Sequence, residues 1–392
     1  MNLFEFYEKD ELVVKNGLQK YILKLKKRAR LNHLLFPFYT LLSLFTYLSY
    51  IFHKSIKKYV KQPVILIVGE KHYSTLDNYS NLVVLFSAKS LLKNFKSIFL
   101  NGHKAYVYEG YYKYIAASYN EPDSTQILEN KIKAILKGSK VQIILMGNDN
   151  KPLERLWIKV ARELGITSVV YQHGVWAANN MLAYQADGWA ADYLFVYDAF
   201  HKDLMIKFGM NPDKIIIVGF PKVESNENVQ RENNTVCILG SAGFSSGYGD
   251  YFKKANNRIA LILVKAGYNV FYRPHPSEIK DSNFEVDSEL VTIVTGEPIT
   301  AAVKKYQVYV GFASTMLIEC TISGGLAIQI IDDKIDVIDF QKMQYAYSIR
   351  LNDLEKTLIN SPSKQKPLAL PFELIDSAMA KNLNDLVGLN FE

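Results

Sequence analysis

The run Arg273-Pro274-His275-Pro276-Ser277-Glu278 brings a guanidinium, an imidazole and a carboxylate together directly after the strand-like Tyr268-Asn269-Val270-Phe271-Tyr272. Arg273 and His275 supply donors to an anionic leaving group such as a phosphate, while Pro274 and Pro276 keep the backbone extended and rigid. Glu278 is placed to orient a histidine or to accept ribose hydroxyls. The alternative for His275 is a turn residue with a satisfied ring. A second histidine stands in Tyr171-Gln172-His173-Gly174, which closes the strand-like Thr167-Ser168-Val169-Val170. A side chain that titrates near neutrality can take a proton from an attacking hydroxyl, which makes His173 the leading candidate for general base. Asp149, in Gly147-Asn148-Asp149, and Glu70, after Val68-Gly69, are rival carboxylate bases. Helix capping or loop solvation remains open for both.

Small residues and hydroxyls gather at two further strand ends. Gly240-Ser241-Ala242-Gly243-Phe244-Ser245-Ser246-Gly247 follows Thr235-Val236-Cys237-Ile238-Leu239 and precedes a helical stretch. Gly240, Ser241 and Gly243 there allow close approach of a phosphate to backbone N–H groups. The loop lacks the full Gly-x-Gly-x-x-Gly spacing and the Walker lysine, so a plain flexible loop is the alternative. In Gly311-Phe312-Ala313-Ser314-Thr315-Met316-Leu317-Ile318-Glu319, Ser314 and Thr315 open a helix. They can cap it, grip an anion, or do both. Lys222, after Gly219-Phe220-Pro221, is a further cation within reach of a phosphate. No metal ligand set is legible: there is no His-Glu-x-x-His, no paired-cysteine spacing and no Asp-x-Asp. Basic residues in place of a metal then stabilise the leaving group. Cys237 and Cys320, the only cysteines, sit in apolar runs and read as buried small hydrophobes of a reducing compartment.

Strands must carry these ends. Gln62 to Gly69, Leu82 to Phe86, Lys104 to Tyr108, Val141 to Met146, Thr167 to Tyr171, Asp192 to Tyr197 and Lys214 to Gly219 are short apolar runs. Helical stretches separate several of them, notably Leu153 to Leu164 with Leu156, Val160 and Leu164 on one face. That alternation predicts a mostly parallel sheet covered on both sides, and it resumes at Thr235. With 392 residues, 49% hydrophobic and 22% charged, the chain is long enough for two separate cores. The expected division is a helical segment over 1–61, a Rossmann-like acceptor domain over 62–223, and a polar linker over 224–234. A Rossmann-like nucleotide domain over 235–350 and helices over 351–392 complete it. Ligands of open α/β sheets bind at carboxyl strand ends, so two such ends facing each other make a cleft.

The net charge of +7 is modest and concentrated near the amino end, in Lys24 to Arg30 and His53 to Lys58. Between these clusters Leu31 to Phe52 is nearly free of charge and aromatic-rich. A helix lying in a membrane interface fits this pattern, with a packed helical hairpin as the alternative. The local charge favours a membrane surface over nucleic acid. No secretory leader is visible, so a peripheral place on the cytoplasmic face of the inner membrane is expected.

Taken together, Gly147-Asn148-Asp149, Tyr171-Gln172-His173-Gly174, Val218-Gly219-Phe220-Pro221-Lys222, Arg273-Pro274-His275-Pro276 and Ser314-Thr315 resemble the two-domain α/β glycosyltransferases of the GT-B fold. The bacterial enzymes that build capsule, O-antigen and teichoic-acid polymers are the nearest in pattern, over about Gln62 to Ile331. The His275-Pro276 and Ser314-Thr315 pairs are similar to motifs of CMP-sugar sialyltransferases, which implies contacts to a nucleotide phosphate. Gln172-His173-Gly174 stands where those families carry an acidic doublet. The same histidine motifs are similar to those of CDP-glycerol polymerases, and UDP-N-acetylglucosamine 2-epimerases share the fold. The resemblance implies an inverting, metal-independent transferase with a nucleotide-sugar, CMP-linked first, as co-substrate. No other cofactor is expected, and the acceptor is a growing cell-surface glycan. A polyol-phosphate transferase, a UDP-sugar 2-epimerase and a non-catalytic partner of polysaccharide assembly are the alternatives.

Overall fold

The computed structural model describes residues 1, 3–9, 64–68, 82–86, 106–108, 123–137, 141–147, 149, 152–172, 191–220, 230–241, 248–312, 314–335, 339–359, 382–383 and 385–386. The chain divides into two compact units. One comprises Met1–His173, Leu182–Pro221 and Leu374–Glu392; the other comprises Gly174–Met181 and Lys222–Glu373.

The first unit holds a seven-stranded sheet of β1 (Val64–Val68), β2 (Leu82–Phe86), β3 (Tyr106–Tyr108), β4 (Val141–Met146), β5 (Thr167–Tyr171), β6 (Tyr193–Val196) and β7 (Ile215–Ile217). Their order is β3-β2-β1-β4-β5-β6-β7 and every pairing is parallel. Parallel neighbours need crossovers, and helices Ser124–Lys137 and Pro152–Glu163 flank β4 in sequence. Leu128, Ile132 and Leu136 recur at four-residue spacing on the first helix and are buried; so are Leu156 and Val160 on the second, as its sequence pattern predicts. Trp157 joins them against Leu66, Ile144 and Val170 of the sheet.

A short helix, Leu3–Lys9, packs Phe6 onto this same core. Those first residues therefore lie against protein, which corrects the expectation that the whole of 1–61 associates with a membrane. The apolar stretch 31–52 and both basic clusters lie outside the described residues. Among the described residues, no helix is long and apolar enough to cross a membrane.

The second unit repeats the topology. β8 (Glu232–Leu239), β9 (Asn269–Arg273), β10 (Thr292–Ile293), β11 (Tyr306–Gly311), β12 (Leu326–Ile331) and β13 (Tyr347–Arg350) form an all-parallel sheet in the order β10-β9-β8-β11-β12-β13. In both sheets the order reverses beside the first strand, between β1 and β4 and between β8 and β11. Ligands of doubly wound sheets settle at such reversals. Helix Gly249–Lys265 covers one face of the second sheet through Phe252, Ala255, Ile259 and Leu263.

Two boundaries differ from expectation. β8 starts at Glu232, inside the span read as linker, because exposed Glu232 to Asn234 extend the strand before its buried part begins. β13 was hidden in the sequence: its residues are half-buried at the sheet edge and show no apolar run.

Candidate functional site

In the first unit, β1, β4 and β5 end side by side, through the pairings of Val68 with Met146 and of Met146 with Val170. Tyr171 and Gln172, at the end of β5, are buried. The Gln172 amide donates to the Phe195 carbonyl at 2.9 Å, and its side-chain oxygen accepts the Tyr197 amide at 3.0 Å. The residue preceding His173 is thus anchored to β6 through both backbone and side chain. Asp149 is buried at 2% exposure, which removes it from solvent. His173 and Glu70 lie outside the described residues, as do Lys222 and Gly243.

The second unit brings more of the expected residues together. Leu239 pairs with Arg273 on one side and Gly311 on the other, so the loops after β8, β9 and β11 emerge next to each other. These loops carry Gly240 and Ser241, then Arg273 to Glu278, then Ser314 and Thr315. Gly240 is required by crowding: a Cβ there would lie 2.7 Å from the His275 amide nitrogen and 2.8 Å from the Tyr272 hydroxyl, and would overlap the Glu278 carboxylate. The Gly240 amide donates to the Arg273 carbonyl at 2.9 Å, fastening the β8 loop to the β9 loop.

His275 caps helix Pro276–Asp281. Its Nδ1 accepts the Ser277 amide at 3.2 Å and lies 2.8 Å from the Ser277 hydroxyl. An Nδ1 that accepts places the proton of the neutral ring on Nε2, leaving Nε2–H as the ring's remaining donor. Desolvation holds this imidazole below the usual histidine range, against a smaller upward pull from Glu278. Pro276 occupies the first helical turn; it has no N–H to give a ligand and acts by shaping the turn.

Glu278 requires a correction. It is 2% exposed; Oε1 accepts the His275 amide at 2.8 Å, while Oε2 accepts the Tyr272 hydroxyl at 2.6 Å and the Glu285 amide at 3.0 Å. Its lone pairs are occupied by internal donors, so it holds the loop and does not receive ribose hydroxyls. Burial, together with Glu278, pushes the Tyr272 phenol far up, which keeps it a donor at any working pH.

Arg273 donates from Nη2 to the Glu297 carbonyl at 2.7 Å, and its Nη1 is buried without a partner. The Ser241 hydroxyl and Glu319 Oε2 are likewise buried and unpartnered. Ser314 Oγ accepts the Met316 amide at 3.3 Å, capping helix Met316–Ile322. Thr315 sits at that helix start in helical geometry, with no side-chain cap bond of its own.

Glu319 lies one turn further on and was assigned no role in the sequence. Burial pushes its carboxyl up to about 7, against a downward pull from Arg273. A lone acid inside the buried helix Met-Leu-Ile-Glu-Cys-Thr-Ile was the available signal, since an unpaired carboxylate is costly in an apolar helix. Among the described residues, no group of three or more His, Cys, Asp or Glu side chains could hold a metal ion.

With this geometry in hand, the solved structures that the chain is similar to can be compared. UDP-GlcNAc 2-epimerase from Methanocaldococcus jannaschii, in complex with UDP-GlcNAc and UDP, superposes with a TM-score of 0.55 at 14% identity, over 83% of this chain and 100% of that one. The UDP-GlcNAc 2-epimerase from Neisseria meningitidis bound to UDP-GlcNAc gives 0.53 at 11%, over 83% and 100%. S. aureus MnaA in its UDP co-structure gives 0.56 at 9%, over 84% and 98%. The fold is GT-B-like. At these identities the likeness establishes fold alone. No protein-family model matches the sequence, and no curated protein does.

Proposed function

We propose that this chain is a nucleotide-sugar enzyme whose second unit holds the nucleotide and its phosphates. One observation carries the reading. Three buried polar atoms without partners, Ser241 Oγ, Arg273 Nη1 and Glu319 Oε2, belong to the loops and helix that follow three adjacent strands at the reversal of one parallel sheet. Buried polar groups ordinarily have partners, and a cluster of orphans at a ligand-binding edge suits a ligand that supplies them. Arg273 and the Nε2–H of His275 suit phosphate oxygens, the Ser241 hydroxyl adds a donor, and Glu319 suits a pair of sugar hydroxyls.

For the reaction, 2-epimerisation of a UDP-linked sugar is the first reading, supported by the names of the structures with the same fold. Inverting, metal-independent transfer of a sugar or polyol phosphate is the second. What favours it is the anchoring of Gln172, which sets a histidine at the end of β5 where a proton acceptor is wanted. In that reading His173 deprotonates the glycan acceptor and the donor is CMP- or CDP-linked. Either way the nucleotide-sugar is a co-substrate and no resident cofactor is invoked. Attachment to the cytoplasmic membrane surface through the basic clusters at 24–30 and 53–58 belongs to the same proposal.

Incubation with UDP-GlcNAc in deuterated water separates the readings. Deuterium at carbon 2 without acceptor supports epimerisation, because inverting that carbon breaks its C–H bond. Release of nucleotide that depends on added glycan, with no exchange at carbon 2, supports transfer. Absence of binding to UDP-, CMP- and CDP-linked compounds alike refutes both.

A further inference from the structure

We propose that Glu285 is a positioning residue for the anion site: its carboxylate holds the Ser241 amide beneath the β8 turn, so that the hydroxyl of Ser241, and not its N–H, meets a bound phosphate. This rests on the nucleotide reading above and adds to it a residue with no recognisable motif around it. Glu285 is fully buried. Its own amide donates to Glu278 Oε2 at 3.0 Å, and its carbonyl accepts the Asn256 side-chain amide at 2.9 Å. Held at both ends, it reaches back across the sheet end, and Oε2 accepts the Ser241 N–H at 3.1 Å.

Three site-bearing pieces meet at this one residue: the β8 loop through Ser241, the β9 loop through Glu278, and helix Gly249–Lys265 through Asn256. A buried amide needs an acceptor, and a carbonyl or a water would serve. A buried carboxylate is the costlier choice. Its negative charge also opposes an anion placed next to Ser241. The feature that Glu285 contributes is therefore the place of its acceptor oxygen. The consequence at Ser241 is visible, since the N–H is taken while the buried hydroxyl has no partner.

Glutamine in place of Glu285 keeps an acceptor oxygen and removes the charge; leucine removes both. The test titrates UDP by calorimetry into the full-length wild type, Glu285→Gln and Glu285→Leu. Expected is a Gln variant that binds as tightly as wild type or tighter, and a Leu variant weaker by about tenfold or more, in keeping with loss of a bond to a charged acceptor. A folded Leu variant that binds like wild type overturns the proposal, and so does a Gln variant as weak as the Leu one. If the Leu variant does not fold, hydrogen exchange of wild type decides. A Ser241 amide equally protected with and without saturating UDP supports the assignment; protection that rises on saturation means that phosphate takes the amide and overturns it. A wild type that binds no nucleotide sinks the functional reading itself, whereas wild-type binding with indifferent variants sinks only the role of Glu285.

Discussion

At the scale of single residues, Glu319 makes the sharpest prediction. Its carboxyl lies near 7 in the folded chain against an ordinary 4.5, so the folded state holds its proton more tightly than the unfolded one. The stability this contributes is complete below about pH 4.5 and is lost as the pH rises through 7. Glu319→Gln removes the titration, so the free variant should be more stable than wild type by ~2 kcal/mol at pH 8 and equal to it near pH 4. The same change should weaken UDP binding by about tenfold, through loss of a charged acceptor. Denaturant melts at the two pH values and a UDP titration check both; a variant stabilised at neither pH refutes the buried, protonatable carboxyl. Gly240→Ala tests the close approach of the loops. The new methyl collides with backbone and with the Glu278 carboxylate, so a loss of about 1–3 kcal/mol in stability is expected, with nucleotide binding reduced alongside it.

At the scale of elements, the site depends on how the second sheet is closed at its opposite end. Arg231, just before β8, donates to the carbonyls of Val303, Tyr306 and Ser323 at 2.7, 3.1 and 2.7 Å. It thereby ties the chain after helix Ile299–Ala302, the start of β11 and the end of helix Met316–Ile322 to a single guanidinium. Gly325 packs on it: a Cβ there would lie 3.1 Å from the guanidinium carbon. Arg231→Ala leaves those carbonyls short of a charged donor and should lower stability by about 2–4 kcal/mol, the range for breaking a buried charged network. Arg231→Lys should recover only part of it, since an ammonium cannot reproduce the fork. Chemical denaturation measures the difference, and an unaffected Arg231→Ala would show that the clamp is ornamental. The capping of helix Pro276–Asp281 by a neutral His275 belongs to the same scale. With its folded pKa below the ordinary value, the cap contributes fully above about pH 6.5 and is lost as the pH falls.

At the scale of the whole molecule, two sheets with separate hydrophobic cores predict that nucleotide acts on one of them first. UDP at about a hundred times its dissociation constant should add roughly 2.7 kcal/mol to the unit that binds it. In hydrogen exchange, new protection should concentrate in Gly240–Ser241, Arg273–Glu278 and Ser314–Glu319, with the helices of the first unit unchanged. Protection centred on β1 and β4 would move the nucleotide site to the other sheet. The excess of positive charge near the amino end adds a second expectation. Full-length protein should float with vesicles containing anionic lipid, and release by salt should follow, since exposed charges are screened within about 10 Å at 0.1 M ionic strength.

Much of the architecture could be read along the chain. Short apolar runs alternating with amphipathic helices made two parallel sheets the natural outcome, because the burial of such strands on both faces is written in consecutive residues. The same runs located the loops of interest, since a parallel strand ends where glycine, proline or a hydroxyl residue interrupts it. What the sequence could not assign is which polar side chain serves the fold and which is left for a ligand. Glu278 looked like a ligand residue and is occupied by donors from Tyr272, His275 and Glu285. Glu319 drew no attention and is the carboxylate with a buried oxygen unpartnered, and Glu285 is tied to Ser241, 44 residues before it. Whether a carboxylate's lone pairs are filled depends on neighbours brought in by strand pairing across such separations, and no local pattern of residue types carries that information.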